Sequence, residues 1–342
     1  MSFVKHAIYL SAALLALTTQ VEAHTQHKTH DQMVKTTPMT VLQHWALGAA
    51  SKWDYAAIDT TRHHLFVTQG DHVNVLELPS GKLLTQIPSH GAHGVAFAQN
   101  LKLGFISNGA SNSVTVFDLD TLQPKQDTTV SGVNPDAILY DAASQKLYTF
   151  NGKSADISVI DPQTMKVLTT IAATGRPEFA VEDGNGKIFF NIEDKAEVGV
   201  IDISSDKLVT TWPLKNCEEP SGLAIDSVHK RLFSVCQNKT MIITDAQSGQ
   251  QVATAPIGEH PDAAYFDVQT NTIYSSNGAA GGSLTAIHQR NADHYSVTGN
   301  YPTAQGARTM AMDSVTQTIY LPTANNGEFE VLVVGAQQNQ PK

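Results

Sequence analysis

The octet HPDAAYFD at residues 260–267 nearly repeats NPDAILYD at residues 134–141. Such a repeat limits the possible folds more than local propensity does, because each unit must pack against copies of itself. The closing Asp recurs as Asp59, Asp141, Asp183, Asp226, Asp267 and Asp313, with Ala98 in the matching place of the second unit. The steps between anchors are 39, 43, 42, 43, 41 and 46 residues, so the chain holds seven units. Each unit carries four short runs rich in Val, Ile, Thr, Tyr and Phe. In the third unit they are DAILYD, KLYTFNG, DISVID and KVLTTIA, separated by turns bearing Gly, Asn, Asp and Ser. This is the strand and hairpin signature. Apolar spacing of three and four, which helical repeats of similar period would show, is missing.

Four antiparallel strands per unit of this length make the blade of a β-propeller, and the chain reads as an all-β, seven-bladed propeller. The last unit supplies only three strands, RTMAMD, TIYLP and FEVLVVG. An open sheet edge is unfavourable. The spare strand TVLQHWAL, residues 40–47, is therefore predicted to complete the seventh blade and close the ring. The propeller should span residues 40–335, followed by a polar tail at 336–342. Each anchoring Asp should cap the turn to the second strand, and Asp118, Asp161, Asp202 and Asp245 should do the same after the third.

The runs SVTVFDLDT, DISVIDPQTMKVLTTI and VGVIDISSDKLVTTW resemble the YVTN repeat, and the full set resembles the YncE-like family of periplasmic seven-bladed propellers. The resemblance covers residues 40–335. It implies an exported propeller with a binding role, single-stranded DNA being a ligand of some members, and it carries no catalytic motif. The sequence itself opposes nucleic acid: 22 Lys and Arg face 32 Asp and Glu, for a net charge of −10. Nonspecific nucleic-acid affinity comes largely from counterions released by basic side chains.

Export is also legible at the N-terminus. Lys5, the 11-residue apolar run AIYLSAALLAL and the small-residue site VEA read as a signal peptide over residues 1–23. The run is too short to span a bilayer. The mature chain should start at His24 and stay in the periplasm with no membrane insertion. Residues 24–39 form a polar segment with His24, His27 and His30, which read as a candidate metal-binding tract. In an exported chain Cys217 and Cys236 read more readily as a disulfide than as a metal or redox site.

Comparison of the units locates the candidate site. Five residues before each anchor, where the innermost strand begins, stand Asp54, His93, Asp136, Glu178, Ser221, Asp262 and Arg308. Six of these seven can ionise, whereas the strand residues behind them are mostly Ala, Val, Ile and Leu. In a propeller these positions ring the central channel on one face. One place outward, Pro135, Pro177, Pro220 and Pro261 fix the backbone in four blades, and Trp53 sets an aromatic face beside the carboxylates. Glu219 lies one place further out. Asn108, Asn151, Glu193, Asn277 and Asn325 fall in the turns of the same face.

Convergent ionisable groups in a cleft mark binding sites. The leading expectation is a binding or scaffold protein, with a small molecule or a cell-envelope protein held at this acidic mouth. The alternative is a metal-dependent hydrolase or lactonase. There a divalent ion would sit on Asp136, Glu178 and Asp262, with His93 or Glu219 as base and Arg308 steadying negative charge; in a site without metal, Arg308 and Arg176 would instead clamp a carboxylate or phosphate of an organic ligand. No phosphate loop, zinc-protease H-E-x-x-H or G-x-S-x-G elbow occurs in the sequence.

Overall fold

The computed structural model describes residues 38–337. The expected signal peptide at 1–23 and the candidate metal ligands His24, His27 and His30 lie outside the described residues. Seven four-stranded antiparallel sheets follow one another along the chain as the blades of a propeller. Blade one runs outward through Ala56–Asp59, His64–Gln69, His72–Glu77 and Leu83–Pro88. Blades two to six repeat this plan from the innermost strands Ala92–Ala98, Pro135–Asp141, Pro177–Glu182, Pro220–Asp226 and Pro261–Asp267. The seventh sheet is ordered Ala311–Asp313, Thr318–Asn325, Glu328–Ala336 and Met39–Ala49. The N-terminal strand thus closes the ring, extending slightly beyond 40–47 at both ends.

The repeated Asp residues do what their position demands. Asp59 Oδ1 accepts the backbone N–H groups of Thr61 and Arg62 at 3.0 and 3.3 Å, and Asp226 Oδ1 accepts those of Val228 and His229 at 3.0 and 3.1 Å. Asp141, Asp183, Asp267 and Asp313 each accept at least one such bond. Asp118, Asp161, Asp202 and Asp245 cap the next turn out in the same way.

The core lies between the blades. Among the described residues seven clusters of buried apolar side chains occur, each drawn from two neighbouring sheets. Phe150 meets Phe190 at 5.5 Å between blades three and four, and Phe233 stacks on Phe266 at 5.5 Å between blades five and six. The joint between blades seven and one is built like the others. Trp45 of the N-terminal strand packs on Tyr320 at 5.4 Å and on the turn at Gly81. Trp212, on the outer strand of blade four, packs on Gly249 in the corresponding turn of blade five. Both glycines have positive φ, +72° and +73°, and a Cβ at either would lie 2.3 Å from the indole. Arg231 ties blade five to blade six, reaching Asp245 at 2.6 Å, Asp293 at 3.0 Å and the carbonyl of Ala292 at 2.8 Å.

Candidate functional site

The ring positions owe their geometry to a local irregularity. In blades two to six the pairing of the innermost strand slips just after its first residue, for example between Pro135 and Ile138 and between Pro261 and Ala263. A bulge re-aims the side chain it carries. His93, Asp136, Glu178, Ser221 and Asp262 all fall within these slips. The backbone of several ring residues is also held by the preceding blade. Ser107 donates to the carbonyl of Asp136, Asn191 to that of Ser221 at 2.9 Å, and Ser276 to that of Arg308. Thr309 donates to the carbonyl of Asp54 at 2.7 Å. Ser107, Asn191 and Ser276 occupy one repeat position, the last but one residue of the second strand. Sequence reasoning missed them, although three buried polar residues at one repeat position were a usable signal.

The side chains form three groups. In the first, His93 Nδ1 lies 2.5 Å from Asp54 Oδ2 and 3.6 Å from Asp136 Oδ1. Burial alone would lower the pKa of His93. The hydrogen bond to Asp54 and the charge of Asp136 outweigh burial, so it is raised. Burial, and then the charge of Asp54, push the Asp136 carboxyl up to about 7. In the second group, Arg308 Nε donates to Asp262 Oδ2 at 2.6 Å, and its guanidinium stands 5.9 Å from the Trp53 ring. Burial, then the charge of Asp54, raise Asp262 to about 6 despite that arginine. In the third, Tyr55 Oη donates to Glu178 Oε2 at 3.3 Å, and Arg176 pairs with Glu193. Burial, then the charge of Asp136 and a hydrogen bond with Glu193, carry Glu178 far above the carboxylate range. The Tyr55 phenol is raised by burial and by Asp136, Glu178, Asp54 and Asp262 around it. Tyr55 was not among the expected site residues, yet it touches the third group and has Asp136, Glu178, Asp54 and Asp262 around it.

Of the carboxylates expected to share a metal ion, Asp136 stands with Asp54 and His93, Glu178 with Tyr55, and Asp262 with Arg308. The described residues contain one set of three or more His, Cys, Asp or Glu whose donor atoms all lie within 4.8 Å, and it is Asp54, His93 and Asp136. Glu219 is exposed at the rim, with no bonded partner among the described residues. Ser221 is buried and donates to the carbonyl of Pro261 at 3.0 Å. The expected turn asparagines differ from one another. Asn108, Asn151 and Asn277 are buried, and their amides bind strand and turn groups such as Thr115, Ser158 and Thr285. Asn325 is exposed.

A cleft of about 560 Å³ opens at this mouth, lined by Lys52, Trp53, Asp54, His93 and Arg308. That is within the usual size of small-molecule sites. Farther along the axis a second cavity of about 420 Å³ is apolar, walled by Ala57, Phe179, Leu223, Ala264 and Phe266. Tyr55 lies at the junction, edge-on to Phe179 at 5.3 Å, with its hydroxyl turned to Glu178. Cys217 and Cys236 form a disulfide with a Cα–Cα distance of 5.3 Å, tying the loop before the innermost strand of blade five to the end of its second strand.

No family model matches the chain. Antigen Lp49 of Leptospira interrogans is 26% identical over 168 residues, covering 45% of this chain and 37% of that protein. The "Uncharacterized protein YncE" of Salmonella typhimurium is 24% identical over 205 residues, covering 58% of this chain and 56% of that protein. The chain thus spans about a third to a half of the length of these curated relatives. Among solved structures, that of U3-55K gives a TM-score of 0.74 at 9% identity, over 87% of this chain and 98% of that one. A chain of a mitotic checkpoint complex gives 0.73 at 13%, over 94% and 99%. At such identities the structural likeness speaks for the fold alone. The chain is a seven-bladed β-propeller with distant sequence similarity to YncE-like proteins.

Proposed function

We propose that this chain is an exported binding protein that takes a positively charged small ligand at the mouth of its axial channel. Propellers commonly serve as scaffolds or binding proteins. The observation that carries it is an excess of acidic groups over basic ones at one opening. Asp54, Asp136, Glu178, Glu193 and Asp262 face His93, Arg176 and Arg308, and Asp136 Oδ1 is shut from solvent without a hydrogen-bond partner. Buried carboxyls raised in this way gain most from an added cation. The cleft beside them has the size and the aromatic wall to hold one. The periplasm is proposed from the expected signal peptide and from the disulfide, which persists in oxidising compartments.

The test is a thermal-shift panel of organic amines, amino acids, carboxylates, phosphates and divalent ions. Cationic compounds should stabilise the protein, with the effect lost in Trp53→Leu and Asp54→Asn. Stabilisation by anions only, or unchanged in both variants, would place the site elsewhere. A cell-envelope protein as partner and single-stranded DNA as ligand are separate arms. DNA binding would appear as affinity falling steeply with salt, and the net charge of −10 opposes it.

A further inference from the structure

We infer that Asp54, His93 and Asp136, from three consecutive blades, form a binding site for one divalent transition-metal ion. The inference rests on the mouth as the binding face and gives its cation a chemical class. Three observations carry it. The donor atoms of all three residues lie within 4.8 Å of one another, two pairs being at 2.5 and 3.6 Å. An ion about 2 Å from each donor keeps its donors about 3.3 Å apart, so small side-chain shifts suffice. Asp136 Oδ1 is closed to solvent and accepts no hydrogen bond, and the 3.6 Å approach of His93 Nδ1 turns it toward the group. The imidazole is also held in one orientation. Gly109 lies so close to it that a Cβ there would be 2.5 Å from His93 Nε2, and this packing leaves Nδ1 turned toward the two carboxylates.

The donor set selects the metal. One imidazole nitrogen with two carboxylates suits Zn²⁺, Mn²⁺, Fe²⁺ or Co²⁺, whereas Ca²⁺ and Mg²⁺ prefer oxygen alone. Three protein donors leave a coordination position open, as at sites that also take water or a small molecule. The cleft that borders Asp54 and His93 supplies the path. The ion takes the Nδ1 lone pair, and the proton Nδ1 now shares with Asp54 leaves to solvent.

Co²⁺ is the probe, because its visible absorption reports its ligands. The experiment uses the full chain after chelation and dialysis, with His24→Ala, His27→Ala and His30→Ala removing the N-terminal imidazoles. One Co²⁺ per chain should bind with a d–d band of low symmetry, and Zn²⁺ should displace it. His93→Ala and Asp54→Asn should each weaken binding about 100-fold or more, since even outer-shell partners of a metal cost 10–100-fold. Asp293→Asn, at the joint of blades five and six and away from the mouth, should leave it unchanged. Should the variants fail to fold, by far-UV circular dichroism, anomalous scattering from a Co²⁺-soaked crystal of the parent chain decides. A peak bonded to all three side chains supports the site, and no peak there overturns it. Binding of less than one equivalent, or binding insensitive to His93→Ala, also overturns it. Organic amines that still bind the metal-free protein at Trp53 would then leave the mouth as a ligand site without a metal.

Discussion

The contact between Trp45 and Gly81 is the joint that closes the ring, and a double-mutant cycle tests it. Trp45 is 9% exposed, lies against Tyr320 and covers the left-handed turn at Gly81. Trp45→Ala should cost about 3–5 kcal/mol, the usual loss for a buried aromatic. Gly81→Ala meets two penalties. A left-handed backbone at φ +72° costs an L-residue about 1–2 kcal/mol, and a methyl 2.3 Å from the indole forces displacement, at about 1–3 kcal/mol. With the indole gone, only the backbone penalty remains. Gly81→Ala should therefore cost about 1–3 kcal/mol less in the Trp45→Ala background. The assay is urea unfolding followed by far-UV circular dichroism, which does not rely on the deleted tryptophan, with m-values checked for equality. Additivity within about 0.5 kcal/mol would refute the argument, because residues out of contact do not couple. The Trp212 and Gly249 pair provides an internal control at a joint without chain closure, and its coupling should be of equal size.

Three further outcomes are expected. Replacing Cys217 and Cys236 by Ser should lower stability by about 3 kcal/mol, the chain entropy of a loop with sequence separation 19, with the fold retained; an unchanged urea midpoint would contradict this. Arg231→Ala should cost about 3 kcal/mol, because it leaves Asp245 without its buried partner at the joint of blades five and six; a loss below 1 kcal/mol would show that solvent replaces the guanidinium. Burial and the neighbouring Asp141 raise Glu182 to about 7, so its protonated form is favoured by folding. Its contribution is full below its unfolded pKa of about 4.5 and is lost as pH rises through 7. Glu182→Gln should then stabilise by about 1 kcal/mol at pH 8, allowing for solvent screening, and by nothing at pH 4, a difference read from urea midpoints at the two pH values.

Architecture was legible because a propeller writes its plan in repeats. Every anchoring Asp in the sequence caps a turn, and the spare strand near residues 40–47 completes the last blade, since an unpaired edge is costly wherever it occurs. The positions of the candidate site were legible for the same reason: Asp54, His93, Asp136, Glu178, Asp262 and Arg308 share one repeat offset. Which of them touch was not. That depends on the bulges at the strand starts and on clamps such as Ser107 to the carbonyl of Asp136, neither of which a strand pattern encodes. Tyr55 escaped notice because it follows a ring position and reads as an ordinary strand aromatic, while the fold turns its hydroxyl to Glu178.

The pairing can nevertheless be reasoned from the order of the ring. Neighbours around the mouth are ring residues one repeat apart, so blades one to seven present Asp, His, Asp, Glu, Ser, Asp and Arg in sequence. His93 has an acid on each side, and both approach it, across 39 and 43 residues of chain. Arg308 also has an acid on each side, Asp262 and Asp54, but Asp54 already holds His93, so the arginine bonds Asp262. Of the four ring carboxyls Glu178 alone has no basic neighbour in the ring, standing between Asp136 and Ser221. A carboxyl in that place finds a neutral donor or has its pKa raised, and both hold for Glu178. It accepts from Tyr55, and it is raised furthest of the mouth carboxyls. Replacing Ser221, its neighbour in blade five, by Lys should bring that carboxyl back toward the ordinary range, by direct Coulombic attraction. A ¹³C-detected titration of Glu178 that did not move in Ser221→Lys would show that burial alone, and not the order of charges around the ring, governs the mouth.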